Sequence, residues 1–241
     1  MAPSSLEKRS RTWILLVGVL VLICTAALWF EFTPGEEEAP IEPALALGCS
    51  LSGNIELMSS GNRLAPEKRV VVFVETVPVP AVPRQSQVHR LILSGLQFTP
   101  PVLVLTRGDS VEFQNNDKDE HHVFSRGTEA FDFGPSRQGR LGRKDFQLAG
   151  PVRVQCNIHE WERADLLVLD NPWFSLVGAE GRWRIDGLPS GKHTVVAWEP
   201  NGSAGKVVSE SCGEVPRMAL EQAKLPRVTR RDGSMFPVYQ P

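Results

Sequence analysis

The sequence predicts an all-β protein, two small β-sandwiches following one N-terminal transmembrane helix, and three observations lead there. Residues Trp13 to Phe30 form one apolar run without a charge. Beyond residue 33, short Val/Leu/Ile-rich runs recur, most of them separated by Gly, Pro, Asn or Asp, which is the pattern of strands and turns. No later stretch carries a helical period except, weakly, Met218 to Lys224.

The apolar run is long enough to span a bilayer. Lys8, Arg9 and Arg11 precede it, and Glu31 and Glu36 to Glu38 follow it. The positive-inside tendency keeps residues 1–12 in the cytoplasm and exports everything after the 13–32 anchor. The expected location is therefore the cell inner membrane, single-pass, with the bulk of the chain periplasmic. A cleaved signal peptide is the alternative, with small-residue sites at Thr25 to Ala27 and Ala44 to Ala46, and either way the later cysteines meet an oxidising compartment. Residues 33–47, rich in Pro, Glu and Ala, read as a linker.

A length of 241 residues accommodates one large or two small domains, and the near-neutral formal charge of -2 argues against nucleic acid as a partner. The four cysteines, Cys24, Cys49, Cys156 and Cys212, form no CxxC pair and no haem-attachment site. Neither a Ser-His-Asp arrangement nor a phosphate-binding glycine loop can be placed, so no enzyme activity is expected.

Two separated segments look related. Leu51 to Glu75 contains Gly53, a turn at Gly61 and the run Val70 to Glu75. Phe174 to Trp198 contains Gly181-Arg-Trp-Arg-Ile185-Asp-Gly187-Leu-Pro189-Ser-Gly191-Lys-His193. Joined, they resemble the carboxypeptidase regulatory-like sandwich, a scaffold module that implies no peptidase activity. The expected domains are then 48–84 with 171–212 as this discontinuous sandwich, 85–170 as an inserted domain, and 213–241 as an irregular tail. Cys49 and Cys212 bracket the discontinuous part. They are either unpaired or joined by a disulfide, which would stabilise the fold by closing a long loop in the chain-entropy model.

The inserted segment carries the chemistry. Phe98-Thr-Pro100 leads into a strand, followed by Gly108 to Asp117, then His121-His122-Val123-Phe124-Ser125, and later Gly150 to Cys156-Asn-Ile-His159-Glu-Trp-Glu162. In this order the segments resemble the plastocyanin-like cupredoxins, which implies a cupredoxin-like Greek-key sandwich and one mononuclear copper site. The family's three equatorial ligands fall on His121, Cys156 and His159. One thiolate and two imidazoles suit copper in both redox states, so electron transfer needs little ligand movement.

Two positions depart from the family. Its short ligand loop reads C-x-x-H-x-x-M, and here Glu162 stands in the methionine's place, with no methionine between Met58 and Met218. If Glu162 coordinates, a harder donor lowers the reduction potential and could favour zinc. Otherwise it points to solvent over a three-coordinate copper, or the site binds no metal. His122 stands where the family usually has asparagine; it ties segments together, ligates, or lies at the surface. Arg137, Arg140, Arg143 and Lys144 either dock an acidic redox partner or form a solvated loop, and Trp161 either shields the site or packs. His89 and His193 read as ordinary strand residues.

The leading expectation is a membrane-anchored periplasmic copper protein that passes single electrons to a redox partner. Copper storage, delivery or sensing, or a scaffold without metal, are the alternatives.

Overall fold

The computed structural model describes residues 48–66, 69–76, 84–202, 204–209 and 211–222. The expected anchor at 13–32 and the linker at 33–47 lie outside the described residues. Those that are described contain eighteen β-strands and no α-helix.

Strands β1 (Cys49–Ser59), β2 (Asn62–Leu64) and β3 (Val71–Thr76) open the fold. Alternation in β1 sends Leu51, Ile55 and Leu57 into a core. Nine strands follow, β4 (Val88–Ser94), β5 (Gln97–Thr99), β6 (Val102–Thr106), β7 (Ser110–Asn115), β8 (His121–Ser125), β9 (Phe131–Ser136), β10 (Gly139–Asp145), β11 (Gly150–Cys156) and β12 (Arg163–Leu169). They form two sheets, β10-β7-β4-β5 and β6-β12-β11-β8-β9, closed over a separate core that includes Leu91, Phe113, Phe146 and Leu166.

The chain then returns to its beginning with β13 (Phe174–Leu176), β14 (Arg182–Leu188), β15 (His193–Trp198), β16 (Gly205–Ser209), β17 (Gly213–Glu214) and β18 (Met218–Glu221). β14 pairs with β1, and β15 pairs with β3, so residues 118 to 139 positions apart share one core around Trp183, Ile185 and Val195. One close approach of this kind is at Gly181, whose carbonyl accepts from the Ile55 N–H at 2.8 Å and whose φ of +82°, with the Ile55 carbonyl alongside, leaves no room for a side chain. A disulfide joins Cys49 to Cys212, with Cα atoms 5.2 Å apart.

The weak helical reading of Met218 to Lys224 is corrected over its described part. Met218–Glu221 is a strand running parallel to β1, with Met218 and Leu220 buried and Ala219 and Glu221 exposed. Four residues of Met-Ala-Leu-Glu satisfy a period of two as well as they satisfy helix propensity, and an unpaired edge of β1 decides between them. The segment after Cys212 thus begins with two short strands on β1.

The two sandwiches meet on a third apolar cluster. β12 is buried on both faces: Ala164, Leu166 and Val168 fill its own core, while Leu167 and Leu169 join Val71, Val102 and Val104 against Phe73, Phe174 and Trp198. Arg153 adds a polar tie, donating from Nη2 to Pro200 O at 3.0 Å and to Asn201 Oδ1 at 2.9 Å.

Candidate metal centre

β8 begins with His121, and the alternation of the strand buries its ring while turning His122 outward. β11 ends on Cys156, β12 begins at Arg163, and the turn between them carries His159 and Glu162. Backbone bonds fix that turn. The Cys156 N–H donates to Glu162 O at 3.1 Å and the Glu162 N–H to His159 O at 3.3 Å. The Asn157 N–H reaches across to His122 O at 2.9 Å, which ties the turn to β8.

The result is a group of four potential ligand atoms, from His121, Cys156, His159 and Glu162, all within 4.8 Å of one another. His121, Cys156 and Glu162 are fully buried, and His159 keeps a fifth of its side chain exposed. The Nδ1 atoms of the two imidazoles lie 3.3 Å apart. Glu162 straddles them, with Oε2 2.8 Å from His121 Nδ1 and Oε1 2.9 Å from His159 Nδ1. The second approach lacks hydrogen-bond geometry, so Oε1 is buried without a hydrogen-bond partner. Cys156 Sγ lies 3.9 Å from His159 Nδ1 and accepts from the Ile158 N–H at 3.4 Å.

This arrangement fits a cation. A buried carboxylate, two ring nitrogens turned edge to edge and a thiol converge with one oxygen left unsatisfied, a costly cluster unless a positive charge lies among its lone pairs. Two nitrogens, a sulfur and a carboxylate oxygen form a donor set that copper or zinc accepts. Burial pushes the Cys156 thiol up to about 11, so the sulfur keeps its proton until a metal displaces it.

The surroundings set orientation. His121 Nε2 is 3.7 Å from Asp117 Oδ2, and Asp117 is held by the N–H groups of Gly95 and Leu96 at 2.7 and 3.0 Å. The Leu96 N–H above all, with lesser help from Gly95 and the nearby His121 and His159, holds the Asp117 carboxyl below its ordinary value against a smaller opposing effect of burial. His122 turns away from the group and sets Nε2 2.6 Å from Asp132 Oδ1, on the neighbouring β9. Of the alternatives open for His122, the tie between segments is the one this geometry matches: its backbone carbonyl accepts from the Asn157 N–H at 2.9 Å, and its ring Nδ1 lies 3.5 Å from Asn157 Nδ2.

The basic residues of β10 and of the turn before it lie beside acids: Arg137 with Glu120, Arg140 with Glu112, Arg143 with Asp145 and Lys144 with Glu129. Trp161 stands 62 % exposed, its ring centroid 5.6 Å from that of His159. His89 contacts Asp109 at 3.2 Å, and His193 lies 2.8 Å from Pro189 O.

No protein-family model matches the chain, and no curated protein sequence does. Its structural neighbours are cupredoxins. A purple cupredoxin from Nitrosopumilus maritimus is 20 % identical and is covered over 98 % of its length by 33 % of this chain, with a TM-score of 0.30. An amicyanin variant in the Cu(I) form is 18 % identical, with 40 % of this chain against 97 % of that one and a TM-score of 0.31. An oxidised amicyanin variant gives 18 %, 42 %, 98 % and 0.31 for the same quantities.

Sequence reasoning missed Asp117 and Asp132. Asp117 stands four residues before His121, a spacing without meaning until the turn that folds it under the ring is known.

Proposed function

We propose that this chain is a membrane-anchored periplasmic copper protein of the cupredoxin kind that passes single electrons, with His121, Cys156, His159 and Glu162 holding the ion. The observation that carries this reading is the convergence of a buried thiol, two imidazole Nδ1 atoms and a carboxylate within 4.8 Å. Copper, when bound, supplies a one-electron couple between its cuprous and cupric states.

The chain's own residues do the rest. β8 and the β11–β12 turn are pinned to each other, so the four donors hold their positions in either oxidation state. Three of the donors are sealed from solvent, and His159 reaches the surface between Ile158 and Trp161, which are 40 % and 62 % exposed. That edge is the short path by which an electron enters or leaves through a partner docked on the turn. Glu162, a hard donor, favours the oxidised ion and lowers the potential relative to a thioether in the same place. Zinc is the competing ion for this donor set.

The flanking β1–β3 and β13–β18 sandwich serves, in this proposal, as a carboxypeptidase regulatory-like scaffold, and the segment at 13–32 as the anchor in the inner membrane. No bond-making chemistry is assigned to either sandwich.

Voltammetry of the copper-loaded full-length chain tests the function. A reversible one-electron wave, absent from Cys156→Ser, is expected. A site that binds copper without a reversible wave contradicts electron transfer and favours storage or delivery.

A further inference from the structure

An imidazole that binds a cation offers one bare nitrogen, so the ring proton of the neutral side chain sits on the other. In the proposed centre the bonding atom of His121 is Nδ1, which faces Glu162 Oε2 at 2.8 Å and His159 Nδ1 at 3.3 Å. The proton therefore belongs on Nε2. That atom is buried and has no hydrogen-bond partner among the described residues. A buried N–H without an acceptor is costly, and Asp117 Oδ2 lies 3.7 Å from it.

Asp117 is built into place. Asn115, itself fully buried, accepts the Asp117 N–H on Oδ1 at 2.8 Å and donates from Nδ2 to Asp119 O at 3.0 Å, which fixes the turn between β7 and β8. From the β4–β5 turn, the Gly95 N–H donates to Asp117 Oδ1 at 2.7 Å and the Leu96 N–H to Oδ2 at 3.0 Å. A carboxylate oxygen accepts two bonds, so Oδ2 keeps a lone pair beyond the one that Leu96 takes. The distance to His121 exceeds that of a hydrogen bond, but the attraction of a carboxylate for the N–H dipole acts across it.

We infer that Asp117 is the positioning residue of this centre: its carboxylate fixes the tautomer and orientation of His121 through Nε2 and biases the site toward the doubly charged ion. The inference rests on the copper reading given above and adds to it a residue that does not touch the ion. A carboxylate facing Nε2–H makes Nδ1 the stronger donor, and a fixed negative charge behind the ring favours the cupric over the cuprous state. In Asp117→Asn one oxygen becomes an amide nitrogen, so a donor meets a donor either at Gly95 or at Leu96 and His121.

Two measurements on the full-length chain test this. In the zinc-loaded protein, isotopically labelled at histidine, nuclear magnetic resonance should find His121 protonated on Nε2. Its proton should be shifted downfield, as beside a carboxylate, and should move back in Asp117→Asn. The same substitution should weaken Cu(II) binding roughly 10–100-fold and Cu(I) binding about tenfold less, which raises the reduction potential by ~59 mV. A merely structural loss weakens both ions alike and leaves the potential where it was, and that result would overturn the assignment. If Asp117→Asn fails to fold, the wild-type resonance decides. A bare Nε2, or a proton at the position of an unbonded imidazole N–H, contradicts the role of Asp117. Any of these failures beside an intact thiolate-to-copper band sinks Asp117 alone, whereas a chain that takes up neither zinc nor copper sinks the copper reading with it.

Discussion

His121 and His159, thirty-eight residues apart, bring their Nδ1 atoms to 3.3 Å with the Glu162 carboxylate across them both. Two neutral imidazoles do not turn lone pairs toward each other without a proton or a cation between. Glu162, three residues after His159, thus meets both rings from the turn that carries His159.

Substituting Glu162→Met therefore exchanges a hard donor for a soft one. The potential of the copper-loaded protein should rise, by ~59 mV for each tenfold of preference for the oxidised ion that the carboxylate supplies. A potential unmoved by the exchange shows that Glu162 does not touch the ion.

The left-handed turn at Gly181 predicts a sharp cost. A Cβ there would lie 2.2 Å from Ile55 O, at a φ of +82°, whereas one at Gly187, φ +73°, meets nothing within 4 Å. Gly187→Ala should cost about 1–2 kcal/mol for its backbone conformation alone. Gly181→Ala should cost distinctly more, because the β1 backbone must move as well. Equal midpoints of thermal unfolding for the two variants contradict this packing.

The Cys49–Cys212 disulfide closes a loop spanning 163 residues. In the chain-entropy model a loop of that length contributes about 5 kcal/mol. Denaturant unfolding of the Cys49→Ser, Cys212→Ser double variant should show a loss of that order, and a loss below ~1 kcal/mol indicates that β1 and β17 are held without the bridge.

Acid should expose a hub under the second sandwich. Burial acts to raise the Asp109 carboxyl, but donation from Arg84, the Gln87 and Thr106 N–H groups and His89 outweighs it, and the value falls from 3.8 to about 2. A lowered folded value means the contribution is whole above pH 3.8 and is lost as pH falls through about 2. It amounts to about 2 kcal/mol. Asp109→Asn should flatten the stability profile across that window in urea unfolding at stepped pH, and an unaltered slope contradicts the hub.

Much of the β-architecture could be read from residues. The apolar run Leu166 to Leu169 announces a strand buried on both sides, and β15 and β4 are legible as short Val/Leu/Ile-rich runs. β9 was hidden because Gly134 and Pro135 interrupt it, and its pairing with β8 supplies the order that sequence alone withholds. Met218 to Glu221 fits two periods, so only the free edge of β1 assigns it. At the candidate centre, the spacing of Cys156, His159 and Glu162 on one turn was visible, and a distant histidine was expected beside them. Invisible were contacts made across the fold: the carboxylate set between both rings, and Asp132 holding the His122 ring.

Optical titration of the metal-free full-length chain with Cu(II) tests the central claim most directly. An intense visible thiolate-to-copper band should grow to one equivalent and be missing from Cys156→Ser. Copper bound without that band, or a band that survives removal of Cys156, contradicts the site.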